Sequence, residues 1–161
     1  MTHAIEKTLT SENGFEPMDV APPAELSDWE KWAFEEPFED MAGPFFYKQL
    51  PSGFVSAFKV EPKHLNGGGA IHGGMLMTFA DYSLFTIAKA ELEDTPSVTV
   101  ALNGDFTSAG PGQGIIYASG EVVRETGSMV FVRGTINADD PNNGTTLLSF
   151  SGIVKKLRKR T

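Results

Sequence analysis

The sequence predicts an α+β fold in which an antiparallel β-sheet of five to six strands wraps round one long central helix. Three observations lead there. Between Gly74 and Ala90 lies an apolar run without Pro or internal Gly. Its Met75, Leu76, Met77, Phe79, Ala80, Leu84, Phe85, Ile87 and Ala88 face nearly all sides, so the helix must be buried rather than laid on a surface. Two strand-like runs precede this helix and four follow it, and short connections between the last three imply antiparallel neighbours. The 161 residues suit one domain with a real core and are too few for two.

Taken in order, residues 1–43 read as an acidic N-terminal extension. They hold eleven acidic residues against Lys7 and Lys31, punctuated by Pro17, Pro22, Pro23 and Pro37. A short helix is expected at Leu26 to Phe34, capped by Ser27 or Asp28. Trp29, Trp32, Phe34 and Phe38 are too apolar for a solvated tail, so docking on the domain or on a partner subunit is expected. Residues 44–161 form the domain. FFYKQL and GFVSAFKV, parted by Pro51-Ser52-Gly53, read as a hairpin. A glycine-rich loop at 67–69 precedes the helix. Strands are then expected at Ser97 to Phe106, Ile115 to Glu125, Met129 to Ala138 and Thr146 to Leu157, separated by Gly110-Pro111-Gly112, Thr126-Gly127 and a turn at 140–144. The sequon Asn143-Gly144-Thr145 lies in that last turn and reads as a turn.

Several function classes are excluded. No run of eighteen apolar residues could span a bilayer. The polar N-terminus has no basic segment followed by an apolar stretch, and the chain has no cysteine, so a cytoplasmic setting is expected. A net charge of −8 disfavours nucleic acid. The basic tail KKLRKR is open to two readings, attraction of a ligand's phosphates or a solvated strand end that discourages edge pairing. His64 and His72 lack a third ligand at metal spacing, so no metal is expected. Neither G-x-x-x-x-G-K-[ST] nor G-x-S-x-G occurs.

The chemistry concentrates between Asn66 and Asp81. A carboxylate inside an apolar helix is costly to bury unless paired, hydrogen-bonded or used, although the helix could also roll Asp81 to solvent or to a lysine. At the helix start, His72-Gly73-Gly74 leaves backbone N–H groups uncovered at the positive end of the helix dipole, suited to a developing oxyanion. Gly73 and Asp81 are separated by about 12 Å along one helix and about 80° around it, so a single small reacting group cannot touch both. If both serve one site, the carboxylate comes from a second, antiparallel copy of the helix, which predicts a two-fold dimer.

The run NGGGAIHGGMLMTFAD, with Asn66 six before His72 and Asp81 nine after it, resembles the PaaI-type branch of the hotdog thioesterases. The resemblance continues through VTVALN at 98–103 and the closing strands, covering roughly residues 43–156. It implies a hotdog fold, a homodimer or homotetramer, and hydrolysis of an acyl-coenzyme A without metal or other cofactor. It implies roles by position: Gly73 N–H polarises the thioester carbonyl with help from Asn66, and His72 holds thioester and loop. Asp81 of the other subunit activates water as general base or attacks directly, and Thr99 supplies a water-orienting hydroxyl. Gly74, Phe79, Tyr82 and Phe85 are expected to contact substrate, though the aromatic three also suit a core. Two rivals are a hotdog hydratase or dehydratase, whose D-x-x-P-x-H pattern is missing, and a non-catalytic acyl-CoA-binding module.

Overall fold

The computed structural model describes residues 20–93 and 95–157. Six strands form one antiparallel sheet: β1 (Phe46–Leu50), β2 (Gly53–Lys59), β3 (Ser97–Phe106), β4 (Ile115–Glu125), β5 (Met129–Ala138) and β6 (Thr145–Lys156). Their order across the sheet is β1-β2-β4-β5-β6-β3. The β1–β2 hairpin turns at Gly53, whose φ of 121° is open to glycine and strained for other residues. At 140–144, Asp140 Oδ1 accepts the N–H groups of Asn142 (2.8 Å) and Asn143 (2.7 Å), so the sequon residues form the expected turn.

Helix α2 (Gly73–Ile87) packs against β2, β3, β4, β5 and β6, the central position its apolar surface demands. Leu76, Phe79, Ala80, Tyr82 and Leu84 are buried along it. Its buried hydroxyls find local partners: Ser83 Oγ donates to Phe79 O at 2.6 Å, and Thr86 Oγ1 meets Ser56 Oγ at 2.5 Å. The sheet makes room with glycine. A Cβ at Gly152 of β6 would lie 2.4 Å from Leu84 Cδ1 and 2.9 Å from Ala101 O, so a side chain there would displace the fully buried Leu84. The helix expected to reach Ala90 stops at Ile87: Ala88 leaves helical geometry at ψ 15° and a short helix α3 (Lys89–Leu92) follows.

The extension differs from expectation. Leu26 to Phe34 is not a helix, because Glu30 instead pairs its backbone with Tyr47 of β1, donating its N–H at 2.9 Å and accepting at 2.8 Å. That bridge and the docking of flanking side chains outweigh local helix propensity. Leu26, in a 3₁₀ turn (Ala24–Leu26), is fully buried beside Phe46 and Ala57, with Trp29 against Tyr117. Trp32 packs at a tilt against Tyr47 and Tyr82, with ring centres at 4.8 and 5.7 Å, under the ammonium of Lys89. Of the four aromatic residues expected to dock, the two tryptophans do so on this domain, while Phe34 and Phe38 stay exposed. The helix of this region is α1 (Pro37–Ala42), started by Pro37 at its first position, where the missing N–H costs nothing.

Two strands edge the sheet, and they differ. Glu30 occupies the outer edge of β1. Strand β3 has no strand on its outer edge among the described residues, and its Val98 and Val100 are 42% and 49% exposed. An apolar, unpaired edge of this kind is a template for another strand.

Candidate functional site

The loop between β2 and α2 is held by its own side chains. Asn66 Oδ1 accepts the N–H groups of Gly68 (2.8 Å) and Ala70 (3.2 Å), so its amide Nδ2 is the end left to donate outward. His72 is the N-cap of α2: its Nδ1 accepts the Gly74 N–H at 2.9 Å, which puts the ring proton of the neutral imidazole on Nε2. Of the two helix-start N–H groups expected to be uncovered, Gly74's is therefore taken by His72. Gly73 N–H has no partner among the described residues. It adjoins a cleft of about 360 Å³ lined by Asn66, Ile71, Gly73, Leu76, Phe106 and Gly110 among others. Phe106 covers Gly73 so closely that a Cβ there would lie 3.2 Å from its ring. This cleft thus offers one free backbone donor at the positive end of a 15-residue helix, one side-chain amide and apolar walls, a setting that polarises a carbonyl.

Asp81 lies at mid-helix, half-buried, with Oδ1 accepting the hydroxyl of Thr99 at 2.7 Å. Thr99 reaches it from β3 because alternation along the strand turns Thr99 inward while Val98 and Val100 face out. The β3–β6 register shifts between Thr99 and Ala101, a bulge that re-aims this stretch of the edge. Asp81 and Thr99 do not line the cleft at Gly73. Of the catalytic candidates, the fold thus groups Asn66, His72 and Gly73 at one end of α2, and Asp81 with Thr99 further along it. Ser97 stands on the same face as Thr99, and among the described residues it is Thr99 that bonds Asp81.

The aromatic candidates are placed differently from the substrate contacts expected of them. Phe79 is fully buried among Phe45 and Phe58, with ring centres at 5.3 and 4.8 Å. Tyr82 is 1% exposed and faces Trp32 and Phe45, and Phe85 packs on the core. None lines the cleft, because a helix apolar on every side gives its large side chains to the core first. The apolar walls come from Ile71, Leu76 and Phe106, which the sequence does not mark.

His64 is structural. Its Nδ1 accepts Glu61 N–H at 2.9 Å, so Nε2–H donates to Ala42 O at 2.8 Å, and burial pulls its pKa below the usual histidine value. Among the described residues no group of three His, Cys, Asp or Glu could hold a metal ion, and no helix is long and apolar enough to cross a membrane. Of the basic tail, Lys156 pairs with Glu125, and residues 158–160 lie outside the described residues.

A sequence profile described as the thioesterase superfamily matches residues 68–145, a span that contains His72, Gly73, Asp81 and Thr99. Over this span the chain is similar to the thioesterase superfamily. A candidate esterase of Pseudomonas aeruginosa, PA0474, is 42% identical over 72 residues, covering 44% of this chain and 54% of its own length. The chain thus spans about half of that curated relative. Among solved structures, the BH2602 protein of Bacillus halodurans, crystallised with coenzyme A, superposes with a TM-score of 0.68 at 19% identity over 80% of this chain and 83% of its own. The PaaI protein of the phenylacetic acid degradation operon of E. coli gives 0.62 at 20% identity over 73% and 83%. These likenesses establish the hotdog fold for this chain: a long helix wrapped by an antiparallel sheet, here of six strands.

Proposed function

We propose that this protein hydrolyses an acyl-coenzyme A to the free acid and coenzyme A, using water activated by Asp81 at an interface between two copies of the chain. The observation that carries the reading is the Asp81 carboxylate, tied to Thr99 at 2.7 Å beside the open edge strand β3 and remote from the Gly73 cleft. Pairing β3 with β3 of a second copy would continue the sheet and set two α2 helices side by side in opposite directions. The carboxylate of one copy then approaches the Gly73 cleft of the other.

In that arrangement the thioester oxygen takes hydrogen bonds from Gly73 N–H and Asn66 Nδ2 while Ile71, Leu76 and Phe106 shield it. Asp81 removes a proton as water adds to the carbonyl carbon, and Thr99 fixes the carboxylate. The tetrahedral intermediate collapses with cleavage of the C–S bond, and the proton on Asp81 passes to the departing sulfur. The carboxylate is regenerated, and no group beyond water is consumed. His72 acts through the loop, capping α2 so that Gly73 N–H alone points into the cleft. Coenzyme A is proposed as the carrier because BH2602 was crystallised with it.

The test is a thiol-release assay over aryl and aliphatic acyl-CoAs, comparing wild type with Asp81→Asn. Loss of a general base predicts a fall of roughly 10²- to 10⁴-fold with substrate binding retained. Near-wild-type turnover in the variant would remove Asp81 from the mechanism. Substrate binding without thiol release would turn the reading to a binding module.

A further inference from the structure

Helix α1 lies outside the residues matched by the superfamily, yet it is fastened to both ends of the candidate site. Its last carbonyls are held by the loop that leads to Asn66 and His72: Lys63 Nζ donates to Met41 O at 3.1 Å, and His64 Nε2 donates to Ala42 O at 2.8 Å. His64 O in turn accepts His72 N–H at 2.8 Å. On its other side α1 packs on α2, where Asp40, only 4% exposed, is paired with Lys31 at 2.5 Å.

Between α1 and α2 is a small cavity of about 10 Å³, lined by Glu39 and Tyr82, by the charged side chains of Lys31, Glu36 and Asp40, and by the rings of Trp32, Phe34 and Phe45. Glu39 Oε2 and the Tyr82 hydroxyl are both buried without a protein hydrogen-bond partner. Two polar atoms facing a space the size of one water can be satisfied through it, provided that one of them brings a proton and neither brings an unpaired charge.

We propose that Glu39 is a positioning residue for the Asp81 half-site, acting as a neutral acid that fastens α1 to the face of α2 beside Asp81. The inference rests on the hydrolase reading for its catalytic consequence, and on α1 packing for its structural one. The charged groups around Glu39 are Glu36 and Asp40 on α1, Asp81 and the Tyr82 phenol on α2, and Lys31, already engaged by Asp40. Burial first, then the charges of Glu36, Asp81 and Asp40, push the Glu39 pKa up to about 8. Ionisation buries a further negative charge beside Glu36, Asp40 and Asp81, with Lys31 already engaged by Asp40. That loosens α1, and with it both the α2 face and the loop that α1 joins. Tyr82, whose phenol burial also raises in pKa, stays neutral throughout this range.

The experiment measures kcat and KM by thiol release from about pH 6 to about pH 9.5, alongside thermal unfolding over the same range, for wild type, Glu39→Gln and Glu36→Gln. Wild-type kcat is expected to fall through a midpoint near pH 8, roughly tenfold by one pH unit beyond it, with KM little changed. Glu39→Gln keeps the neutral shape and loses this alkaline limb, while Glu36→Gln, removing a charge that raises the Glu39 pKa, moves it to lower pH. An alkaline limb that persists unchanged in Glu39→Gln overturns the proposal. If no acyl-CoA releases thiol, the hydrolase reading fails, and unfolding alone decides the role of Glu39. A wild-type melting temperature that drops relative to Glu39→Gln as pH rises upholds it, and parallel curves overturn it.

Discussion

Replacing Thr99 with valine deletes the hydroxyl that binds Asp81 and keeps the branched shape. The bond is short, at 2.7 Å, and its acceptor is a carboxylate, a class of hydrogen bond that contributes about 1.5–3 kcal/mol. Asp81 and Thr99 are only half-buried, so the lower end of that range applies, and each ~1.4 kcal/mol lost from the transition state slows the reaction about tenfold. Thr99→Val is therefore expected to lower kcat by roughly ten- to thirtyfold while KM stays near wild type, since in the proposed mechanism the carboxylate acts on water rather than on substrate binding. Thr99→Ser keeps the hydroxyl and should retain most of the rate. Steady-state thiol release separates the three proteins, and urea unfolding checks that the variants remain folded. A valine variant with wild-type kcat would refute the argument. A serine variant as slow as valine would show that the methyl group, not the hydroxyl, is what Asp81 requires.

Three further outcomes follow from the same geometry. Gly73→Val places side-chain atoms against the Phe106 ring, 3.2 Å from where its Cβ must sit, and should abolish thiol release while circular dichroism shows a folded chain. Val100→Lys puts a charge on the open β3 edge and should convert the proposed dimer to an inactive monomer, measured by light scattering with the activity assay. Glu39 sets a pH dependence of stability. Its folded pKa of about 8 lies above its usual 4.5, so its contribution is fully present below pH 4.5 and is lost as pH rises through 8. The gap sets a ceiling near ~5 kcal/mol, and because the residue keeps some exposure the expected loss is ~1–3 kcal/mol. Chemical unfolding at two pH values on either side of this window should show that loss in wild type and not in Glu39→Gln.

The central helix and strands β3 to β6 were legible in the sequence because their signals are local. Gly, Pro and Asp turns bracket each strand, and α2 is apolar on every side. The same all-round apolarity hid which of its side chains would face a ligand, so Phe79 and Tyr82 resemble pocket residues and belong to the core. The separation of Gly73 from Asp81 was legible from helix geometry alone, whereas the Thr99 to Asp81 bond needed the β3 register and its bulge. Leu26 to Phe34 reads as a helix in sequence and is not one, because the deciding contact is non-local: Glu30 bridges to Tyr47, 17 residues on. Glu39 carried no sequence signal, as one acid among eleven. It becomes distinctive only when α1 folds over Tyr82.

In the proposed reaction each active centre takes Gly73 from one chain and Asp81 from another. Mixing two inactive variants tests it: Asp81→Asn, lacking the carboxylate, and Gly73→Val, lacking the cleft. If the half-sites are shared across a dimer, subunit exchange rebuilds one intact centre in each mixed dimer, and activity returns to about a quarter of wild type after random reassortment. A mixture in which exchange is demonstrated by mass spectrometry, and which stays as inactive as either parent, would contradict it.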